Sequence, residues 1–238
     1  MKKKILVFVL ILFAVSLFHG FSQEKPRIGV LRFSNTVAGM YWWRASVATE
    51  LQDLLISELI SVRKFAVLER NEINAVISEQ DLSASDRVDQ KTLVKMGKIK
   101  GVKYLIAGTV SAFEKTSAKG GKIRVKDVSL GGKKEKTYIA VDIKLIDTET
   151  SEIVDARTIE ATIKAKAIGA GLSTRHFSVA GSDAKKTPTG KAIRACIIHI
   201  VDYLICSVTK GLDHKCMGKY DAMDKRRREK TKSVIDLD

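Results

Sequence analysis

Hydrophobic residues between positions 44 and 80 follow a helix–strand–helix pattern, and the rest of the chain can be placed around it. In the first part, apolar positions recur at steps of three and four, which predicts the buried stripe of an amphipathic helix. The stripe consists of Val47, Leu51, Leu54, Leu55, Leu59 and Val62. The apolar run at 65–68 then predicts a short buried strand. An amphipathic helix between strands indicates an α/β layer.

Three further helices are predicted downstream of this strand. Asn71 is expected to cap the second helix and Asp89 the third, because these side chains accept hydrogen bonds from free helical N–H groups. The residues expected to face inward are Ile73, Val76 and Ile77 in the second helix and Leu93, Val94, Met96 and Ile99 in the third. The last helix is expected to begin at Thr187 and Pro188. Its apolar stripe is Ile193, Ile197, Ile200, Val201 and Leu204.

Two longer strands complete the regular part of the pattern. Residues 102–110 are mostly apolar, which fits a central strand covered on both faces. Residues 137–147 alternate, with Ile139, Val141, Ile143 and Leu145 on one face. Two glycine- and lysine-rich insertions, at 111–136 and 157–183, interrupt this order. The predicted fold is therefore α/β, a mixed β-sheet flanked by helices that carries two hairpin insertions.

The first residues predict export. Lys2, Lys3 and Lys4 precede an uncharged, mostly apolar run at 5–18, and cleavage is expected before Gln23. The run is shorter than the ~20 residues of a membrane-spanning helix, so 1–22 is interpreted as a signal peptide. Residues 23–210 are then expected to form one α/β domain, followed by a charged tail at 211–238 that is either helical or disordered.

The net charge of +15 narrows the classes of partner. In an exported protein such a charge favours anionic lipid headgroups, polysaccharide or acidic proteins over nucleic acid, which is not an expected partner. The basic residues cluster in 114–136 and again in 225–232. Solvated surface is the alternative interpretation of both clusters.

No pattern in the sequence indicates catalysis. Cys196, Cys206 and Cys216 are an odd number, and buried apolar packing is the favoured interpretation. A Cys206–Cys216 bridge stays open if the last helix ends near Lys210. The cysteine and histidine spacings match no tetrahedral zinc site, and the glycine pairs and serines lack phosphate-binding or nucleophile context. We therefore expect no metal, no cofactor and no enzymatic activity.

Five stretches, in order along the chain, resemble the curli production assembly/transport (CsgG) family. They are Trp42 and Trp43 before the leucine-rich segment 51–60, then 65–80, 102–110, 141–150 and 187–193. The resemblance implies an α/β periplasmic domain and, as in the best-known members, a ring-forming outer-membrane secretion channel. Each subunit of such a ring contributes two hairpins to one shared β-barrel. The insertions at 111–136 and 157–183 lie where those hairpins fall.

The resemblance also suggests site residues. A loop before the first helix narrows the pore, and Tyr41, Trp42 and Trp43 lie in the corresponding loop. We expect Tyr41 and Trp42 to be exposed there, with Trp43 the better candidate for a staple at the helix start. The alternating face of the second insertion is predicted to face the membrane. It consists of Ile159, Ala161, Ile163, Ala165 and Ala167.

The expected function is therefore that of an envelope protein, located in the periplasm or outer membrane, that acts by contact. We expect a homo-oligomer that associates with the outer membrane and handles envelope protein clients, as a curli-type secretion channel does. The alternative is a soluble periplasmic adaptor or activator of cell-wall synthesis with no pore. It rests on the basic first insertion, which offers few lipid-facing residues, and on the lack of a cysteine after the apolar run, since channel-forming members are typically lipoproteins.

Overall fold

A mixed β-sheet forms the centre of the molecule in the computed structural model, which describes residues 24–85, 87–125, 128–168 and 187–235. The strands within these ranges are β1 (Arg27–Val30), β2 (Ser34–Asn35), β3 (Ala66–Val67), β4 (Tyr104–Val125), β5 (Val128–Asp147) and β6 (Ile153–Ile168). Their order is β3-β1-β4-β5-β6, with β2 beside β4. Strand β1 runs parallel to β3 and β4, whereas β4, β5 and β6 are antiparallel.

The described helices differ in how they relate to this sheet. They are α1 (Ala45–Ser61), α2 (Ile73–Ala84), α3 (Pro188–Leu204) and α4 (Gly218–Lys232). A π-helical segment, Ile205–Lys210, continues α3, and a short 3-10 helix, Lys215–Met217, precedes α4. Helix α1 packs on β1, β3 and α3, and α3 packs on β5 and β6. This arrangement confirms the predicted α/β fold, in which helices pack on a mixed sheet.

The core lies between the sheet and the pair α1 and α3. The α1 stripe is confirmed, because Val47, Leu51, Leu55 and Leu59 are all buried. The inward face of β5 is confirmed as well, and Ile139, Val141, Ile143 and Leu145 lie in the same cluster. The opposite face of β4 is only half-buried, so the expectation that this strand is covered on both faces is wrong. Helices α1 and α3 therefore cover only one face of the sheet.

Gly108 is the point of closest approach inside this core. Its missing side chain leaves room for the ring of Phe33, since a Cβ there would lie 2.5 Å from the ring edge. Phe33 is 3 % exposed, and its backbone N–H donates to the carbonyl of Ala48 on α1. The glycine therefore lets an aromatic side chain fill the space between β4 and α1.

Helix α3 begins where the sequence predicts. The Thr187 side chain accepts a hydrogen bond from the Gly190 N–H at 3.0 Å, and Pro188 occupies the first turn. Among the described residues, the segment Pro188–Lys210 has the length and apolar composition of a membrane-crossing helix. Its predicted apolar stripe is buried against β5, β6 and α1, which identifies α3 as the core helix of the domain.

The second and third helices differ from their predictions. Helix α2 exists, but no side chain caps its N-terminus, so the expected Asn71 cap is wrong, and Val76 and Ile77 are exposed. The Glu69 carboxylate accepts hydrogen bonds from the Arg70 and Asn71 N–H groups in the turn before the helix. No helix forms at 89–99, where Asp89 instead accepts from the Lys91 N–H. The apolar residues of that segment are exposed: Leu93, Val94, Met96 and Ile99. Within the described residues α2 makes no extensive contact with the sheet or with another helix, which leaves its apolar side chains exposed.

Two of the three cysteines differ from the favoured interpretation, and the tail forms one of its two expected structures. Cys206 and Cys216 form a disulfide with a Cα–Cα distance of 6.0 Å, and the preceding helix ends at Lys210, the condition under which a bridge had been left open. Cys196 is free and buried, and burial raises the pKa of its thiol to about 12. The tail is helical at Gly218–Lys232, and Met217 and Tyr220 at its start join the core.

Candidate functional site: the extended sheet and the aromatic loop

Strands β4, β5 and β6 continue as a paired sheet beyond the helices. The β4–β5 pairing runs from Tyr104 opposite Asp147 to Val125 opposite Val128. The β5–β6 pairing reaches Gly132 opposite Ile168. From residue 111 to 125, β4 extends about 50 Å at ~3.3 Å per residue. The described part of the first insertion therefore consists of paired strands continuous with the core strands, with a register shift between Lys119 and Lys122. We call the paired residues 111–125, 128–136 and 161–168 the extended sheet.

A β-bulge lies where the extended sheet leaves the core. The register of β4 against β5 shifts between Val110 and Ala112. Because side chains alternate along a strand, the extra residue reverses which positions face inward. Val110 faces the core before the bulge, and Phe113, which pairs with the buried Ile139, packs against the core after it. The bulge thereby directs the Phe113 ring toward the loop before α1.

The aromatic loop at 41–43 packs against Phe113 at this point. The Trp42 and Phe113 ring centroids are 5.1 Å apart at 72°, and those of Tyr41 and Phe113 are 6.3 Å apart at 66°. Trp43 meets Trp42 edge-on at 6.1 Å. Such edge-to-face pairs hold two elements in a fixed orientation. The loop is thus attached to the root of the extended sheet through Phe113, a residue that the sequence patterns did not single out.

The three adjacent aromatic residues have three different environments. Tyr41 is 69 % exposed, Trp42 is 2 % exposed, and Trp43 is half-buried against the core. The expectation of an exposed Trp42 is therefore corrected, because this ring fills the core between the loop and β4. Tyr41 is the ring of the loop that is free to meet solvent or a partner. Its predicted role at a pore constriction stays a prediction.

The predicted membrane-facing residues divide into two groups. Ile159 and Ala161 belong to the hydrophobic core, and the Cys196 thiol on α3 donates to the Ile159 carbonyl at 3.4 Å. The membrane-facing expectation is corrected for these two, because α3 already covers them. Ile163 is half-buried, and the side chains of Ala165 and Ala167 lie outside the described residues. The membrane-facing role therefore stays a prediction for the residues of β6 that follow Ala161.

Helix α4 is fixed near the root of the extended sheet by charge. The Arg157 guanidinium on β6 lies 2.8 Å from Asp224, 2.9 Å from Asp221 and 3.2 Å from Asp155. Although burial disfavours its charge, hydrogen bonds to Asp224 and Asp155 keep the pKa of Arg157 above its usual range. The Tyr203 hydroxyl on α3 donates to Asp155 at 2.9 Å. These contacts join β6, α3 and α4.

One group in the described part of the chain could resemble a metal site. The ligand atoms of Cys206, His214 and Cys216 lie within 4.8 Å of one another. The disulfide occupies both sulfur atoms, and the His214 Nδ1 accepts a hydrogen bond from the Cys216 N–H at 3.2 Å. The arrangement fixes the turn before α4 and leaves no thiolate ligand.

The comparisons with known proteins agree with this architecture. The model of the family "Curli production assembly/transport component CsgG" matches residues 15–235. A putative lipoprotein of Neisseria meningitidis serogroup B is 26 % identical over 172 residues. That alignment covers 69 % of this chain and 66 % of the relative, so the chain spans just under two thirds of the relative's length.

Several solved structures overlap with the chain at low identity. The hypothetical protein CT253 from Chlamydia trachomatis has a TM-score of 0.47 at 13 % identity, over 76 % of this chain and 96 % of that one. A PelC dodecamer from Paraburkholderia phytofirmans has a TM-score of 0.35 at 9 % identity, over 76 % and 88 %. The family assignment does not depend on them. Because the family model matches nearly the whole sequence, the chain belongs to the CsgG family, a family of envelope proteins.

Proposed function

We propose that this envelope protein works as a homo-oligomer whose extended sheets join into one membrane barrel, through which unfolded protein clients cross the outer membrane. The observation that carries the proposal is the extended sheet, in which three paired strands continue past the helices that cover the core. A barrel strand needs ~9–11 residues to cross a bilayer. The segment 111–125 of β4 exceeds that length.

The edge of the sheet supports assembly. Strand β6 is the last strand of the described sheet, so its outer edge is available for pairing in the described part of the chain. An unpaired edge of this length is stable only if it is covered, closed or paired with another chain. Pairing between neighbouring subunits would close the sheet into a ring without a free edge.

The surface formed by α2 and the following segment supports the same assembly. Its exposed apolar residues are Val76, Ile77, Leu82, Leu93, Val94, Met96 and Ile99. A concentration of apolar side chains of this kind marks an interaction surface in a soluble domain. In the proposed oligomer this surface contacts the neighbouring subunit, which would give α2 the packing partner that its own chain does not supply.

Tyr41 is the residue through which the proposed channel would touch its client. Trp42 and Phe113 hold the loop in place, while the Tyr41 ring remains exposed beside them. A ring of such side chains would form a narrow aromatic collar that an unfolded chain can slide past through weak contacts. Folded proteins would be excluded by size. The protein would thus act by contact and geometry instead of catalysis.

Reconstitution into vesicles tests the proposal. We expect the full chain to form a detergent-stable oligomer by light scattering and to release small dyes from vesicles. Tyr41→Ala should alter the size limit of release without lowering the melting temperature. Leu212→Ala, which truncates another exposed apolar side chain away from the loop, is the matched control and should leave release unchanged. A monomeric mass in detergent together with no dye release would overturn the channel.

Fractionation of cells after osmotic shock distinguishes the channel from a soluble adaptor. If the channel proposal holds, the mature chain should stay with the membrane fraction after osmotic shock. Recovery of the whole mature chain in the shock fluid would instead indicate a soluble adaptor or activator of cell-wall synthesis.

A further inference from the structure

A groove lies between helix α4 and the face of the sheet opposite α1 and α3. Helix α4 begins beside α3, where the Tyr220 ring meets Tyr203 at 5.4 Å. Its later turns lie over the other side of the sheet, next to the root of the extended sheet. The groove has a volume of about 660 Å³. It is lined by Glu114, Lys136, Tyr138 and Glu160 of the sheet and Met223, Arg226, Arg227, Lys230, Thr231 and Val234 of the helix and its end.

The groove carries an excess of positive charge, because it is lined by four cations (Lys136, Arg226, Arg227 and Lys230) and two carboxylates (Glu114 and Glu160). Glu160 accepts a hydrogen bond from the Tyr138 hydroxyl at 3.0 Å, and Arg227 pairs with Asp224 at 3.0 Å. Arg226 and Lys230 make no ion pair within the described ranges, and both side chains are exposed. They are four residues apart on α4 and therefore on one face. Two such cations lining a groove favour a phosphate or another anion from outside.

Apolar side chains accompany these cations. Met223 lines the groove one turn before Arg226 and is 43 % exposed, and Val234 lines it one turn after Lys230 and is 79 % exposed. Ile235 follows and is also exposed. A soluble polyanion needs only the cations. Exposed apolar side chains next to the cations can also contact the acyl carbons beside a lipid phosphate, although helix α4 as a whole is polar on all sides.

The other side of α4 is charged but more nearly compensated, with four cations and three carboxylates in its groove. A second groove there is lined by Arg157, Asp221, Asp224, Lys225, Arg228, Glu229 and Lys232. Arg157 contacts both aspartates below 3 Å, and Lys225 lies 4.0 Å from Glu229. Here the cations alternate with carboxylates, so an outside anion gains less. The two sides of one helix therefore differ in what they can bind, although both are rich in basic residues.

We propose that the groove of Arg226 and Lys230 binds the phosphate headgroup of anionic lipids, with Met223 and Val234 against the first carbons of the acyl chains. The anion-binding chemistry of the groove does not depend on the proposed function. The position of the groove relative to the membrane rests on the proposed function, because lipid headgroups lie at the root of the extended sheet only if those strands cross the bilayer. Helix α4 would then be a membrane-surface contact that sets the depth of the sheet.

Co-sedimentation of the full chain with vesicles tests this assignment. Phosphatidylcholine vesicles measure binding that needs no anion, and phosphatidylglycerol is added to measure the lipid headgroup contribution. The double variant Arg226→Ala with Lys230→Ala should lower that contribution about 30-fold, the effect of losing two basic residues at an anionic surface. The matched pair Lys225→Ala with Arg228→Ala removes the same charge from the compensated side and should lower it by about threefold or less. Equal losses in the two pairs would mean that only net charge matters and would overturn the groove.

Two further measurements separate lipid from a soluble polyanion and from the pore. Met223→Ser with Val234→Ser should weaken binding to phosphatidylglycerol vesicles several-fold and leave retention on heparin unchanged. If retention on heparin falls equally, or vesicle binding does not change, the lipid assignment fails. Dye release is measured in the same vesicles. Groove-dependent binding without dye release would support the lipid site while contradicting the channel, so the two failures are distinguishable.

Discussion

Helices α1 and α2 have similar sequence patterns but different environments. On α1, Val47, Leu55 and Leu59 are fully buried. On α2, Val76 and Ile77 are 46 % and 39 % exposed, although both had been predicted to face inward. A period of 3.6 residues predicts that a helix has an apolar face. It does not predict whether the partner for that face belongs to the same chain.

The connections of the two helices explain the difference. Helix α1 is joined to the sheet at both ends, and the Gln52 amide in its middle donates to the Val30 carbonyl at 2.6 Å. Helix α2 follows the edge strand β3 and leads into the segment before β4. The end of that segment accepts hydrogen bonds from Arg70 at the Lys100 carbonyl and from Arg27 at the Gly101 carbonyl. Helix α2 is therefore anchored at its start but not packed along its length.

The largest expected effect on stability lies in the aromatic loop, where a buried and an exposed residue are adjacent. Trp42→Ala should lower the free energy of unfolding by ~3–5 kcal/mol, because a buried ring is lost and a cavity remains. Tyr41→Ala should lower it by less than ~0.5 kcal/mol, as is usual for an exposed position. Chemical denaturation measures both. Similar losses for the two variants would show that the loop is not divided between core and surface.

Truncation of the two helices provides the direct comparison. Leu55→Ala on α1 should cost ~2–5 kcal/mol, since it leaves a cavity under the sheet. Ile77→Ala on α2 should cost less than ~0.5 kcal/mol in the monomer. In the proposed oligomer the Ile77 variant should instead shift the mass measured by light scattering toward the monomer. A loss of several kcal/mol on truncating Ile77 in the monomer would mean that α2 packs on its own domain.

The smallest effect concerns the turn that precedes α2. The Glu69 carboxylate accepts from the N–H groups of Asn71, Arg70 and Glu72 at 2.6, 2.7 and 3.4 Å. The Asn71 bond contributes most to lowering the pKa of Glu69 below its ordinary 4.5, against a smaller opposing effect of partial burial. The contribution to stability is therefore present above that value and is lost as the pH falls through the lowered folded-state pKa.

Glu69→Gln checks this pH dependence. Because the carboxylate is largely exposed, solvent screening limits the expected loss at neutral pH to a few tenths of a kcal/mol. The difference between wild type and variant should shrink when denaturation is repeated well below the ordinary carboxyl pKa. Asp89→Asn, at an acidic residue that accepts a backbone N–H bond outside a helix, is the control. A stability difference that grows as the pH falls would contradict this role of Glu69 in the turn before α2.

The sequence by itself determined the local elements that pack on the core. The stripes of α1 and α3, the cap at Thr187 and the alternation of β5 follow from residue type and spacing, because each is set within a few residues. The resemblance to the CsgG family was also available from the sequence. These elements either belong to the central sheet or pack directly on it.

Only the tertiary structure decided which apolar residues find a partner within the chain. Trp42 is core and Tyr41 is exposed because a bulge in β4, about 70 residues later, directs Phe113 toward their loop. Ile159 and Ala161 alternate as a barrel strand would, yet α3 covers them. The Cys206–Cys216 bridge depended on where a helix ends. For the aromatic loop and for β6 the environment is set by a contact distant in sequence, and local periodicity carries no information about such contacts.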